Sequence, residues 1–369
     1  MTCPICSCGN SKILYEAKEQ FTNKGALELI LCLEVCENCG FVFLSNAYTK
    51  EYQELIKRVY ENFDKSNVFK FPNRSVENKN ALSMIGEYLN LNMNILEIGS
   101  NRGDLLYLIK EEFKTVNILG IEPTQNQKVY VPTIKGFFDK NLFSNKFDFI
   151  IMQHVLEHIV NPKNVVDDIY HTLNENGVVY IEVPSLEYAL ENNIEDFMLE
   201  HVSYFTNNSL LALFKNFEVL AINEEPFLRV IFRKSNQISA TKKDDYRLLQ
   251  NKFMNFHQDK TKILQEIKQF IDEGKEIVFF GVSFYFKKIY TDISKICDIR
   301  KSYFIDDNFD KDIEPNFNLQ RKDNLSSNEV VILCSNNFDV QKRMAAKIAN
   351  TQGLTIIMPW NQILQGQGK

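Results

Sequence analysis

Apolar residues follow two alternating rhythms along this chain. Short continuous runs, Asn94-Ile-Leu-Glu-Ile98, Val116-Asn-Ile-Leu-Gly-Ile121, Phe147-Asp-Phe-Ile-Ile-Met152 and Val178-Val-Tyr-Ile-Glu-Val183, are separated by stretches with helical spacing from about Val76 to Leu89, from about Asp104, and after Pro162. Uninterrupted apolar strands joined by helices predict a parallel sheet covered on both faces. Glu218–Ile222 and Arg229–Phe232 leave no room for a long helix between them, so the sheet is expected to end antiparallel.

From Thr241 to Gly274 the chain is charged, with Tyr246, Leu249, Phe253 and Phe256, then Ile263, Leu264, Ile267 and Phe270, three and four residues apart. That spacing predicts a long amphipathic helix. A second, smaller α/β pattern follows: Glu276–Gly281, Lys301–Asp306, Glu329–Cys334, a helix through Met344, and Leu354–Met358. Ahead of the first sheet, the β-like run Ala26–Val35 leads into an aromatic and charged stretch with Tyr48, Tyr52, Tyr60, Phe63 and Phe69. Pro72-Asn73-Arg74-Ser75 reads as a turn and helix cap. The predicted fold is α/β in three parts, residues 1–75, 76–236 and 237–369.

A chain of 369 residues accommodates two to three such domains. It carries 42 Lys+Arg against 48 Asp+Glu, a net charge of −6, and no long basic run, which argues against a nucleic acid or an anionic membrane as partner. No apolar stretch approaches the roughly 18 residues of a membrane span, and the opening Met-Thr-Cys-Pro-Ile-Cys has no secretion signal. A cytoplasmic location is expected; the oligomeric state is open.

Six of the eight cysteines, Cys3, Cys6, Cys8, Cys32, Cys36 and Cys39, lie in the first forty residues. In a reducing compartment such a cluster points to metal rather than to disulfides. Cys3-Pro-Ile-Cys6 and Cys36-Glu-Asn-Cys39 are two knuckles that can bring four thiolates to one tetrahedral zinc, a closed site and therefore structural. A lobe this small is expected to depend on its metal. Cys8 and Cys32 are either further ligands or free thiols.

Ile95-Leu-Glu97-Ile-Gly99-Ser-Asn101-Arg-Gly103-Asp104 joins an apolar strand, a loop with two glycines and a helix start, a weak motif by itself. The next strand ends in Gly120-Ile-Glu122-Pro123, where an acid at the tip can receive a ribose diol. A further strand ends in Gln153-His154-Val155-Leu156-Glu157-His158-Ile159. The set resembles the class I S-adenosylmethionine-dependent methyltransferases. The resemblance implies a Rossmann-like domain with S-adenosylmethionine as cofactor. Gly99, Asn101 and Gly103 would hold its methionine part, with Glu97 beneath. Glu122 and Pro123 would take the ribose, Phe138 would flank the adenine, and Gln153 and His154 would form the pocket edge.

The whole chain is similar to the sugar C-methyltransferases that act on nucleotide-linked keto-deoxysugars, which combine a zinc lobe, a methyltransferase domain and a C-terminal Rossmann-like domain. The matching pieces are the two knuckles, Val155-Leu-Glu-His158-Ile, Ile181-Glu-Val-Pro184 and Glu200-His201-Val-Ser-Tyr204-Phe205. The resemblance implies a sugar or nucleotide-sugar acceptor. It also implies a reacting carbon surrounded by His201 as base, Glu200 as its partner or a hydroxyl ligand, His158 as donor to the enolate, and Tyr204. An imidazole suits the task because its ordinary pKa lets it take a proton near neutrality. Met198 stands where the family has a tyrosine, and Pro226-Phe-Leu-Arg229 where it has Gly-Gly-Ser before an arginine. O-methylation of a sugar or sugar-acid hydroxyl is the alternative, and a non-catalytic binding module with the same fold is the rival from another class. A nicotinamide enzyme is disfavoured by the missing three-glycine fingerprint. His154 with His158 as metal ligands, Asp306-Asp307 as hydroxyl ligands, and a phosphate on the helix after Gly281 are the remaining minority readings.

Overall fold

The computed structural model describes residues 2–20, 28–61, 75–124, 129–239, 241–281, 284–299, 302–306, 320–322, 324–335 and 338–365. Phe63, Phe69, the 72–74 turn and Asp307 lie outside them. The chain forms two compact units, Met1–Glu187 with Met198–Gln250, and Tyr188–Phe197 with Asn251–Lys369.

The first unit opens with β1 (Ser11–Gln20), β2 (Glu28–Cys36) and β3 (Val42–Leu44), then helix α1 (Lys50–Glu61). It continues with α2 (Ser75–Ile85), β4 (Asn94–Ile98), α3 (Asp104–Glu112), β5 (Asn117–Glu122), β6 (Thr133–Lys135), β7 (Phe147–Gln153) and α4 (Pro162–Thr172). Next come β8 (Leu173–Pro184), α5 (Leu186–Glu191), β9 (Ser203–Tyr204), α6 (Asn207–Leu213), β10 (Phe217–Asn223) and β11 (Phe227–Lys234). The long predicted helix is α7 (Tyr246–Asp272), which crosses from the first unit to the second.

The strand order β10-β11-β8-β7-β4-β5-β6 makes a seven-stranded sheet. β4 to β8 run parallel to one another, as the apolar runs predict. The sheet ends antiparallel, as expected: β11 lies between β8 and the edge strand β10 and is antiparallel to both. The short β10–β11 connection explains this, since a hairpin can only return antiparallel. Side chains alternate between two cores. Leu96, Ile98, Ile150 and Met152 pack toward α4 and α6, and Ile95, Phe149 and Ile151 toward α2 and α3. Order along the sheet reverses between β4 and β7, which places the ligand crevice of an open parallel sheet at their C-terminal ends.

A second sheet, β1-β2-β3-β9, carries Cys32 and Cys36 on β2. β3 pairs with β9, Val42 opposite Tyr204 and Phe43 opposite Ser203, across more than 150 residues of sequence. Cys3, Cys36, Phe41 and Phe43 share one core with the seven-stranded sheet, and Phe41 meets Phe205 at 5.5 Å between ring centres.

The second unit is built on β12 (Glu276–Phe280), α8 (Phe284–Ser294), β13 (Tyr303–Ile305), β14 (Gln320–Arg321), β15 (Glu329–Leu333), α9 (Phe338–Ile348), β16 (Thr355–Met358) and β17 (Gln362–Gln365). Its sheet runs β14-β13-β12-β15-β16-β17, parallel except for β17. The segment 188–197 belongs to it through Glu195, which is fully buried and ion-paired with Lys260 at 2.6 Å, and through Phe197 stacked on Phe253. Among the described residues no helix is long and apolar enough to cross a membrane.

Candidate active site

The loop after β4 is shaped by two positions that only glycine fills without strain. Gly99 has φ +73°, and a Cβ there would stand 2.3 Å from Val155 Cγ2; Gly103, at φ +82°, would meet Val131 Cγ2 at 2.2 Å. Asn101 is left-handed as well, at φ +53°. This turn aims the Asn101 N–H at Glu122 Oε2, 2.8 Å away at the tip of β5. The Thr124 N–H donates to the other carboxylate oxygen at 3.0 Å, and so does its hydroxyl. A carboxylate accepts about four hydrogen bonds, so Glu122 is fixed in place with capacity to spare. Glu97 is buried on β4, Pro123 is half-buried, and Phe138 lies against Phe143 on the core edge while Phe137 is exposed.

Val155 connects this loop to the histidines, because the His158 N–H bonds the Val155 carbonyl at 3.0 Å. The ring of His158 stands 4.9 Å from that of His201, and His201 is 6.2 Å from Tyr204. His201 is held by its backbone: the Val202 N–H bonds the Glu157 carbonyl at 2.8 Å, and the Leu44 N–H bonds the Val202 carbonyl at 3.0 Å. The nearby helix α6 is capped by Thr206 with Ser209, so His201 has no capping role. Nδ1 of His158 is 2.7 Å from the Glu200 carbonyl, which fixes the tautomer with the proton on Nδ1 and leaves the lone pair on Nε2. Burial lowers the pKa of His158 and keeps it neutral. The Tyr204 hydroxyl donates to the Met198 carbonyl at 3.0 Å and accepts from its N–H at 3.1 Å, and Tyr52 donates to the Leu199 carbonyl. Two tyrosines therefore shape the 198–201 turn.

Residues 72–221 match the family model described as a methyltransferase domain. Those residues form a class I S-adenosylmethionine-dependent methyltransferase domain. Two tRNA U34 carboxymethyltransferases from Campylobacter jejuni strains are each 27% identical to the chain over 151 residues, covering 34% of it and 51% of the relative. The chain thus spans about half the length of the curated relatives it matches. Two solved structures are similar to the chain. One is the Burkholderia thailandensis 1,6-didemethyltoxoflavin-N1-methyltransferase with S-adenosylhomocysteine bound (13% identity, 55% of this chain and 97% of that one, TM-score 0.41). The other is an S-adenosylmethionine-dependent methyltransferase from Archaeoglobus fulgidus (14%, 50% and 100%, TM-score 0.35).

Where β7 and β8 end, the methyltransferase domain holds a buried ionic chain that motif reading misses. His154, at φ +53°, places Nε2 3.2 Å from Glu182 Oε1 and Nδ1 3.5 Å from Glu157 Oε1. Burial opposes the charged ring, and the two carboxylates more than offset it, lifting its pKa to about 9. Glu182, fully buried on β8, also faces Arg229 Nε at 3.2 Å, the Tyr180 hydroxyl at 2.5 Å and the Gln153 amide at 3.2 Å. Burial pushes Glu182 up, yet His154, Arg229 and Tyr180 together hold it down to about 2. Gln153 and His154 are thus both engaged with Glu182. The available signal was the lone acid in Val178-Val-Tyr-Ile-Glu-Val183, since a carboxylate inside an apolar strand requires buried partners.

In the cysteine lobe the thiols of Cys3 and Cys39 are 3.6 Å apart and those of Cys6 and Cys36 3.5 Å, and all four sulfurs lie within 4.8 Å of one another. Zinc–sulfur bonds of about 2.3 Å in a tetrahedron put sulfurs roughly 3.8 Å apart. Backbone N–H groups of Ile5 and Cys6 point at Cys3, and those of Asn38 and Cys39 at Cys36, as thiolate ligands require. The donor set fits zinc. Among the described residues Cys8 and Cys32 are not part of the cluster.

Proposed function

We propose that this protein transfers a methyl group from S-adenosylmethionine to a sugar acceptor, nucleotide-linked, at carbon beside a keto group, with His201 as base. The observation that carries the reading is the His158–His201 pair, 4.9 Å between ring centres and joined through Val155 to the glycine loop. The loop of Gly99, Asn101 and Gly103 would cradle the methionine part of the donor, Glu122 beside Pro123 would take the ribose, and Phe138 would cover the adenine. Gln153 and His154 would close the floor. His201 would remove the proton next to the carbonyl, and His158 and Glu200 would line the acceptor side. Methyl transfer from a sulfonium needs little beyond a deprotonated nucleophile in line with the carbon, so alignment is the larger part of the catalysis. Zinc on Cys3, Cys6, Cys36 and Cys39 would hold the lobe that anchors β9.

The hydroxyls of Tyr204 and Tyr52 bond the backbone of the 198–201 turn, and Met198 offers none, which favours a second reading. O-methylation of a sugar hydroxyl needs one base and no enolate stabiliser. Incubation with isotopically labelled donor and a pool of nucleotide sugars, with tRNA in a parallel arm, tests both by mass spectrometry. Label on sugar carbon supports the first reading and label on sugar oxygen the second. Label on tRNA alone overturns the sugar assignment. His201→Ala should lower turnover by about 10²–10⁴-fold while leaving donor affinity unchanged.

A further inference from the structure

Glu157 stands between the buried ionic chain and the histidine pair, and it has no role in methyl transfer as read above. It is 1% exposed, and neither carboxylate oxygen accepts a hydrogen bond among the described residues. One of those oxygens is 3.9 Å from Nε2 of His158. Because Nδ1 of that ring is tied to the Glu200 carbonyl, its Nε2 presents a lone pair. One donor atom from each of Glu157, His158 and His201 lies within 4.8 Å of the other two.

We propose that Glu157, His158 and His201 form a binding site for one divalent first-row transition-metal cation. Two imidazoles and a carboxylate are the donor set of metal sites that keep open positions, and a ligand histidine whose other nitrogen donates to a backbone carbonyl is their usual support. Bonds of about 2.1 Å would draw the donors to roughly 3.4 Å from one another, a closure of less than about 1.5 Å. His158 is a quarter exposed and provides the way in. The site rests on the reading above only for its consequence: a bound cation takes the lone pair that His201 needs as base. Cation-bound and base-competent states therefore exclude each other.

Cobalt(II) titration of the full chain tests this. Cobalt on nitrogen and oxygen gives weak visible bands without the sulfur charge-transfer absorption that marks cobalt in the cysteine cluster. The expected result is one sulfur-free equivalent per chain. Glu157→Gln and His158→Gln should each weaken it more than the roughly 10–100-fold that loss of an outer partner costs, and His171→Ala should leave it intact. Circular dichroism and a donor-binding isotherm on each variant check folding, and His201→Gln serves where one of the others does not fold. Absence of the sulfur-free bands, or their persistence at full affinity in folded variants, overturns the proposal. Bands in a protein that binds no donor would sustain the cation site while removing the methyl-transfer reading; donor binding without bands would do the reverse.

Discussion

Gly99→Ala tests whether the glycine loop is held by contact with Val155. An alanine at φ +73° carries about 1–2 kcal/mol of left-handed strain. Its Cβ would also overlap Val155 Cγ2 at 2.3 Å, and relieving that overlap adds about 1–3 kcal/mol. The expected cost is about 2–5 kcal/mol, of which Val155→Ala in the same chain should recover the overlap part and leave the strain. Two compact units make a global melt hard to assign. The assay is therefore hydrogen exchange of the Gly99 and Ser100 amides, both bonded to the Ile121 carbonyl at 2.8 and 3.2 Å. Isothermal titration with S-adenosylhomocysteine gives the parallel reading, with at least a tenfold loss expected for Gly99→Ala and partial recovery in the double variant. If the two substitutions add to within about 0.5 kcal/mol, Val155 is not what the glycine makes room for and the reasoning fails.

Three more outcomes are expected. Glu182 is held near 2 in the folded chain against an ordinary value near 4.5, so its ionic contribution is full above about pH 4.5 and is lost as the pH falls toward 2; Glu182→Gln should flatten that part of an acid-unfolding curve. At neutral pH the same variant leaves Arg229 buried beside a neutral amide and should cost about 3–5 kcal/mol, read from urea unfolding followed by tyrosine fluorescence. Chelation of a metal held by Cys3, Cys6, Cys36 and Cys39 should abolish turnover while changing the donor dissociation constant less than about threefold, because the lobe holds the His201 segment through β9 whereas Gly99 and Gly103 are set against Val155 and Val131; equal loss of both would contradict this.

How far the sequence predicts this molecule depends on the range of the interactions. The parallel strands are legible because Ile95, Ile150 and Val179 have no polar alternation to suggest an exposed face, and the knuckles are legible because a two-residue spacing is local chemistry. The position of β11 was not, since insertion between β8 and β10 is decided by pairing across the sheet and not by its own residues. Nor was the partnership of His154, whose two carboxylates come from its own turn and from β8. The β3–β9 pairing that carries His201 joins distant segments, and nothing in Val42–Leu44 announces its partner. The resemblance implies a role for the Glu200 carboxylate, yet the oriented contact to the histidine pair is its backbone carbonyl.

The segment 188–197 leaves one compact unit, contributes Glu195 and Phe197 to the other, and returns three residues before His201. The second unit is therefore no interchangeable cassette. A chimera cut once near residue 250 would strand Glu195 without Lys260 and leave Phe197 without its aromatic neighbours. Any evolutionary or engineered exchange of the C-terminal unit must carry that segment with it, and so must re-enter the chain at the approach to the proposed base.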